Sequence, residues 1–176
     1  MVKQCVAGEE RGYAMLYNKY AKRIYHAVFR VMGNTAESED IVQEAFCTAF
    51  EQIDKLKNQS NFEGWVKRIA LNQAISALRK RKMVFADDSQ LEMVAEEEVD
   101  ISEELLFQCQ VDDVKKAIAD LPDGYRTIVS LHLFEDIGQE EIGKMLGINH
   151  ATVRSQYHRA KKKIFTALKD KAYYGT

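Results

Sequence analysis

The chain has 176 residues, with 25 Lys and Arg against 27 Asp and Glu, a formal net charge of −2. That length holds one domain or two small ones, and a near-neutral average taken alone argues against a nucleic-acid binder, which carries a basic surplus. The 46% hydrophobic content excludes wholesale disorder, and one Pro with nine Gly leaves too few turn residues for an all-β chain, so long helices are predicted.

Residues 12–32 carry Tyr13, Leu16, Tyr17, Tyr20, Ile24, Ala27, Val28 and Val31 at spacings of three and four, an amphipathic helix. Gly33-Asn34-Thr35 breaks it, and Thr35 and Ser38 are the predicted N-caps of the next helix. Over residues 36–56, Ile41, Val42, Ala45, Phe46, Ala49, Phe50 and Ile53 form one stripe, with Asp40, Gln43, Glu44 and Glu51 on the opposite face. A polar loop, Lys57-Asn58-Gln59-Ser60-Asn61, precedes a third long helix over residues 62–82. The apolar residues of that helix (Phe62, Trp65, Val66, Ile69, Leu71, Ile75, Leu78) do not fit one narrow stripe. Such a helix is packed on two sides or leaves apolar surface for a partner.

Residues 83–104 lack a clean period and are read as a flexible linker, with Ser102 as N-cap of a helix over residues 105–121. Pro122 suits the first turn of a following helix, which Arg126 to Phe134 continues.

The sharpest local pattern lies at residues 139–163. Gln139 to Leu146 reads as a short helix, and Gly147 sits where a tight turn needs φ > 0. A second helix begins near His150, and Gly143 is the small residue that lets the two cross closely. Ile142, Leu146, Ile148 and Val153 form the shared core of a helix-turn-helix. In the second helix Val153, Tyr157, Ala160, Ile164 and Leu168 face inward, and Arg154, Ser155, His158, Arg159, Lys161 and Lys162 face outward. Such a basic face can enter a major groove, Arg reading guanine and Lys neutralising phosphate. The spacing assigns Tyr157 to the core, although a tyrosine can also stack on a base. His158 has no second His or Cys three or four residues away to make a metal site.

Charge is segregated along the chain. Residues 1–83 carry 14 basic and 9 acidic side chains, net +5. Residues 84–114 carry no basic and 11 acidic ones, net −11, and residues 115–176 carry 11 and 7, net +4. The average therefore conceals two basic blocks around an acidic connector, although a charge run is also compatible with a plain solvated face. No run of about 18 apolar residues is present, so no membrane insertion is expected. Residues 1–10 lack the apolar core of a signal peptide. Cys5, Cys47 and Cys109 fit neither a disulfide framework nor a zinc spacing, which predicts reduced thiols in a cytoplasmic protein.

Three stretches, in order, resemble a bacterial RNA polymerase sigma factor of the extracytoplasmic-function (ECF) type. Ala36-Glu37-Ser38-Glu39-Asp40-Ile41-Val42-Gln43-Glu44-Ala45-Phe46 resembles the D-A-E-D-x-V-Q-E-x-F signature of its sigma-2 domain. Phe62-Glu63-Gly64-Trp65-Val66-Lys67-Arg68-Ile69-Ala70-Leu71-Asn72 is similar to the family's F-x-x-W-x-x-x-I-A-x-N. Leu121-Pro122-Asp123-Gly124-Tyr125-Arg126, with the helix-turn-helix as far as Ala160, resembles its sigma-4 pattern. The resemblance implies an all-α protein with a sigma-2 helical bundle at 9–83, an acidic linker at 84–104 and a sigma-4 helix-turn-helix domain at 105–171. It leaves no room for a sigma-3 domain.

The resemblance also implies roles. Asp40, Gln43 and Glu44 would dock on the clamp helices of the polymerase β′ subunit, with the β flap a further contact of the core enzyme. Asn58, Ser60, Asn61 and Phe62 correspond to a loop that captures a flipped base of the −10 non-template strand, a task that needs polar edge contacts and a stacking surface. Trp65 falls near the melting edge, or serves as a core anchor. Asn72, Arg79 and Lys80, with Arg81 and Lys82, approach the −10 strand and its phosphates. Arg154, Ser155, His158, Arg159 and Lys162 would read the −35 element. The family threads its linker through the polymerase cleft and RNA exit channel, where the acidic connector would mimic a nucleic-acid strand. The implied partners are core RNA polymerase, promoter DNA and an anti-sigma factor; no cofactor or metal is implied. Three positions depart from the pattern: Ser76 where Asp is common, Gly138 where Ser or Thr caps the helix, and Gln156 where Arg is usual, removing one possible DNA contact.

The residues also admit a one-component transcription regulator, an enzyme, or a helical adaptor that binds only protein. The first needs a ligand pocket, a phosphoacceptor or a dimer seam, and the second a catalytic, metal or phosphate-loop spacing. Neither signature is present in the sequence.

Overall fold

The computed structural model describes residues 1–56, 58–80 and 111–174, and the chain divides into two compact units, Met1–Arg81 and Lys82–Thr176. The expected linker at 84–104, its Ser102 cap, the beginning of the helix expected from 105, Cys109, Arg81 and Lys82 lie outside the described residues. Every regular element among the described residues is helical.

In the first unit α2 (Glu10–Met32), α3 (Thr35–Glu51) and α4 (Phe62–Lys80) all pack on one another. The core uses small residues where the helices cross and large ones between them: Ala45, Ala49, Ala70 and Ala74 are fully buried beside Ile24, Val28, Val31, Val66 and Leu78. Helix α4 buries Phe62, Val66, Ala70, Leu71, Ala74, Ile75 and Leu78, a broad face that serves both α2 and α3. Its lack of a narrow stripe thus reflects packing on two sides. A short helix not expected from the sequence, α1 (Val2–Val6), packs against α2 through Cys5, which is 1% exposed. The Tyr13 hydroxyl donates to the Cys5 carbonyl at 2.9 Å, and burial pushes the Cys5 thiol pKa up.

Two boundaries in this unit differ from expectation. The N-cap of α3 is Asn34, whose Oδ1 accepts from the Glu37 N–H at 3.1 Å, rather than Thr35 or Ser38. Ser38 is buried, and its hydroxyl donates to the Asn34 carbonyl. Helix α3 also stops at Glu51, not at 56, and Ile53 enters the core from a 3-10 turn, Ile53–Lys55. An apolar stripe records which side chains go inward, not which kind of turn carries them.

The second unit comprises α5 (Val111–Ala119), α6 (Asp123–Leu133), α7 (Gln139–Leu146) and α8 (His150–Tyr174). Ile118, Leu121, Val129 and Ala160 are buried together, with Val114, Tyr125, Tyr157 and Ile164 packed against them. Pro122 occupies the N-cap of α6, just ahead of the first turn in which it was expected. Arg126, 9% exposed, ties that corner together. Its Nη1 donates to the Leu121 carbonyl at 3.0 Å and the Ala119 carbonyl at 3.4 Å, closing the end of α5, and its guanidinium pairs with Asp123. Gly147 ends α7 with φ 69°, as the tight turn requires.

Candidate polymerase and nucleic-acid interfaces

The two units are considered separately. In α3 the burial of Ile41, Val42, Ala45 and Phe46 turns Asp40, Gln43 and Glu44 outward, and all three are exposed on one face. Cys47 continues that face.

Between α3 and α4 the chain forms a short 3-10 turn, Gln59–Asn61. Asn58, Ser60 and Asn61 are exposed. Asn58 Oδ1 accepts from the Ser60 backbone N–H at 3.0 Å and from its hydroxyl at 2.6 Å, which fixes the loop before any ligand arrives. Phe62 corrects the expectation. It is 1% exposed, with its ring centroid 5.8 Å from Tyr20, 6.4 Å from Phe46, 6.3 Å from Phe50 and 6.2 Å from Trp65. A ring so enclosed cannot stack on a base without leaving the core, so Phe62 anchors the loop rather than contacting a ligand. Trp65 is half-buried, edge-on to Phe62, and keeps one side accessible.

Along α4, Asn61, Trp65, Arg68, Asn72, Ser76 and Arg79 follow one another at spacings of four and three, so they line one side of the helix. That stripe is about 27 Å long at a rise of ~1.5 Å per residue. It begins at the polar loop and ends at exposed Arg79 and Lys80. Arg68 was not singled out in the sequence, yet it is exposed and falls between Trp65 and Asn72. The helical register between those two residues was the signal that would have found it. Ser76, also exposed, turns its hydroxyl onto the Asn72 carbonyl at 2.8 Å, so it adds no charge to this surface.

In the second unit α7, the Gly147 turn and α8 form the expected helix-turn-helix. A β-carbon on Gly143 would lie 3.0 Å from the Ile148 carbonyl oxygen and 3.6 Å from a Val153 methyl, the close approach that demands glycine. Ile142, Leu146 and Val153 are buried, and Ile148 is half-buried. Asn149 Oδ1 accepts from the Ala151 N–H at 3.0 Å and holds the start of α8. Gly138 at the start of α7 provides no side-chain cap, a loss of a few tenths of a kcal/mol relative to a capping residue.

On α8, Arg154, Ser155 and Lys162 are exposed, and His158, Arg159 and Lys161 are partly so. Gln156 is 8% exposed and belongs to the inward face with Val153, Tyr157 and Ala160. The departure there concerns packing and not a DNA contact, which corrects the expectation for that position. Tyr157 lies edge-on to His132 at 4.9 Å, and burial raises its hydroxyl pKa, so the core role holds. On α7, Lys144 pairs with Glu140 at 2.8 Å; the hydrogen bond and the attraction lower the Glu140 pKa and raise that of Lys144. A local acid thus accompanies the exposed cation of α7, whereas residues 154–163 of α8 contain no acid at all. A groove of about 680 Å³ beside α8 has both signs in its lining, Asp120 and Asp170 with Arg159 and Lys162, and so is not a simple anion site. Leu133, 54% exposed, and Phe134, 41% exposed, leave an apolar spot at the end of α6 that the sequence pattern did not single out.

Among the described residues no cluster of His, Cys, Asp and Glu is arranged to hold a metal, and no helix is long and apolar enough to cross a membrane.

Known proteins share this arrangement. Residues 16–83 match the Sigma-70 region 2 family and residues 112–164 match Sigma-70, region 4. The chain is 31% identical to the ECF RNA polymerase sigma factor SigW of Bacillus subtilis, over 96% of this chain and 95% of that protein. It is also 31% identical to the RNA polymerase sigma factor SigV of the same organism, over 78% and 80% respectively. In fold it is similar to the sigma factor RpoE of Bartonella quintana, solved in complex with the anti-sigma factor NepR, with a TM-score of 0.54 and 21% identity over 90% of this chain and 98% of that one. Two sigma regions in sequence order are the mark of a family of regulatory proteins. The chain belongs to the ECF RNA polymerase sigma factors, the family that supports promoter-specific transcription initiation with RNA polymerase.

Proposed function

We propose that the chain binds core RNA polymerase, reads and opens the −10 element with its first unit, and reads the −35 element as duplex with its second. The observation that carries the first half is the α4 stripe. A pre-formed polar loop, a half-buried tryptophan, Arg68, Asn72 and a cationic helix end follow one another on one side of a helix whose opposite face is core. A single strand laid along it meets polar edges, an aromatic face and positive charge, the needs of an unpaired strand. In this reading Asn58, Ser60 and Asn61 contact the captured base, and Phe62 supports them from the core.

Asp40, Gln43 and Glu44 form the seat for the β′ clamp helices, and Leu133 and Phe134 offer an apolar seat for the β flap. On α8, Arg154 and Arg159 reach base edges, Ser155 and His158 add hydrogen bonds, and Lys162 neutralises phosphate. The domains are 9–83 and 105–171, and the acidic residues 84–104 follow the polymerase's basic channel. Two modules on one tether bind promoter DNA by avidity, so either alone is weak. Capture of one face by an anti-sigma partner is then enough to silence the protein.

Run-off transcription with purified core polymerase tests the reading. Activity must depend on both promoter elements, and footprints over the −10 region must require the core enzyme. Protection of both elements by the chain alone would favour a duplex-binding regulator instead.

A further inference from the structure

The residues between α6 and α7, 134–138, are fastened to the last turn of α6. Asp136 has φ 53°, the one positive value at a non-glycine among the described residues, a conformation that a β-carbon disfavours. Both backbone groups of the next residue are held. The Ile137 N–H donates to the Leu131 carbonyl at 3.1 Å, and the His132 Nδ1–H donates to the Ile137 carbonyl at 2.9 Å. A carbonyl oxygen can only accept, so the contact requires the hydrogen on Nδ1. Helix α7 then starts at Gly138 without a side-chain cap. Its entry is fixed by α6 rather than by a cap of its own.

The same imidazole also meets α8. Its ring lies edge-on to Tyr157, with centroids 4.9 Å apart and planes at 85°. Tyr157 packs into the core of the second unit, and in sequence it stands between Ser155 and Arg159. Toward the other end of α7, Gly143 brings its backbone against the turn, where a β-carbon would lie 3.0 Å from the Ile148 carbonyl oxygen. One close contact sets the separation of two helices and leaves them free to swing about it. A second tie, at the start of α7, removes that freedom, and His132 supplies it.

We propose that His132 is a positioning residue for −35 recognition: by holding the entry of α7 and the middle of α8 with one ring, it fixes the angle at which α8 enters the major groove while α7 crosses the backbone. The proposal rests on the reading of α8 as the −35 helix. His132 acts through Ile137 and Tyr157, not by touching a base. The tie works only while both of its ends hold. Losing the Nδ1–H or losing the ring therefore has the same consequence for the helix angle as losing both. Stability behaves differently, because each contact contributes to it and losing both costs more than losing one.

The test uses the full chain with core polymerase and duplex promoters in which each −35 base pair is replaced in turn. His132→Phe keeps a ring against Tyr157 and removes the donor. His132→Asn keeps an amide N–H near the place of Nδ1 and removes the ring, and His132→Ala removes both. All three should lower the discrimination between the best and the poorest −35 sequence by similar factors of at least about fivefold, the smaller end of what one bidentate base contact supplies. Melting temperatures read by circular dichroism should instead fall in graded fashion, most for His132→Ala. The slope of log K against log salt should stay that of the wild type, since no phosphate contact is removed. Unchanged discrimination in the Phe and Asn variants overturns the positioning role, and so does a loss that grows in step with the fall in melting temperature, as a purely structural residue would give. A loss in only one of those two variants overturns the two-ended tie. If the wild type distinguishes none of the −35 sequences, or if Arg154→Ala with Arg159→Ala leaves the discrimination as it was, the reading of α8 itself fails, an outcome distinct from the others.

Discussion

Phe62→Ala separates a core anchor from a base contact most sharply. The ring is 1% exposed and touches four other aromatic side chains. An aromatic of this kind removes about 150–250 Å² from water. At ~25 cal/mol per Å² that is about 4–6 kcal/mol, and the usual cost of Phe→Ala in a core, cavity included, is ~3–5 kcal/mol. A unit of about 80 residues has only ~4–12 kcal/mol of stability in total. The variant should therefore lose about a quarter or more of the first unit's stability. Urea unfolding followed by tryptophan fluorescence reads this directly, because Trp65 is the one tryptophan of the chain and sits 6.2 Å from the Phe62 ring. Phe62→Leu fills most of the space and should lose under about 2 kcal/mol. A loss below ~1 kcal/mol in Phe62→Ala, with −10 selectivity destroyed in the still-folded protein, would refute the placement of this ring in the core.

Arg126→Ala strands the Ala119 and Leu121 carbonyls and the Asp123 carboxylate together, and should cost about 2–4 kcal/mol, seen as a lower melting temperature of the second unit by circular dichroism. Gly143→Ala drives a methyl against the Ile148 carbonyl oxygen, a backbone atom that cannot swing away; about 1–3 kcal/mol of overpacking cost and weakened −35 duplex binding in a mobility-shift assay are expected. Arg154→Ala with Arg159→Ala should abolish promoter activity and leave core binding intact. Lys162→Ala, which removes the phosphate contact, should weaken binding to all sequences alike and make the slope of log K against log salt shallower by about one. Replacing Asp40, Gln43 and Glu44 together by Ala should reduce affinity for core polymerase at least about tenfold (~1.4 kcal/mol), while the Trp65 unfolding midpoint stays near that of the wild type.

How far the sequence could be read depended on helical phase. The stripe over residues 12–32 and the α7-turn-α8 pattern are long or sharply punctuated, and both appear nearly as expected, with Gly147 at the φ of 69° its turn requires. The end of α3 was not readable, because Ile53 goes inward from a 3-10 turn as well as it would from an α-helix. Phe62 was not readable either. Beside a polar loop, an exposed stacking aromatic and a core aromatic look alike, and only Tyr20, Phe46 and Phe50 arriving from α2 and α3 decide between them. Gln156 was readable in principle. It lies three residues after Val153 and four before Ala160, an inward phase that its polar side chain disguised. Transferring a motif residue by residue thus assigns contact roles to positions that the helix turns away from solvent.

The whole-chain charge of −2 misleads for a related reason. At physiological salt a charge is felt over a Debye length of about 8 Å. A phosphate therefore responds to the few side chains near it and not to the sum over the molecule. On α8, residues 154–163 hold five Lys and Arg and no acid, within about 14 Å of helix at ~1.5 Å per residue. That segment is strongly basic over a length comparable to the width of a major groove, about 12 Å, whatever the acidic residues at 87–104 do to the average. On α7, exposed Lys144 faces Glu140 at 2.8 Å, so bringing a phosphate to it also brings an acid, and Asp120 and Asp170 do the same for Arg159 and Lys162 in the groove beside α8. The sign of a short stretch of helix, and not the sum over the chain, is therefore the quantity a phosphate responds to, and residues 154–163 are basic where the average is not.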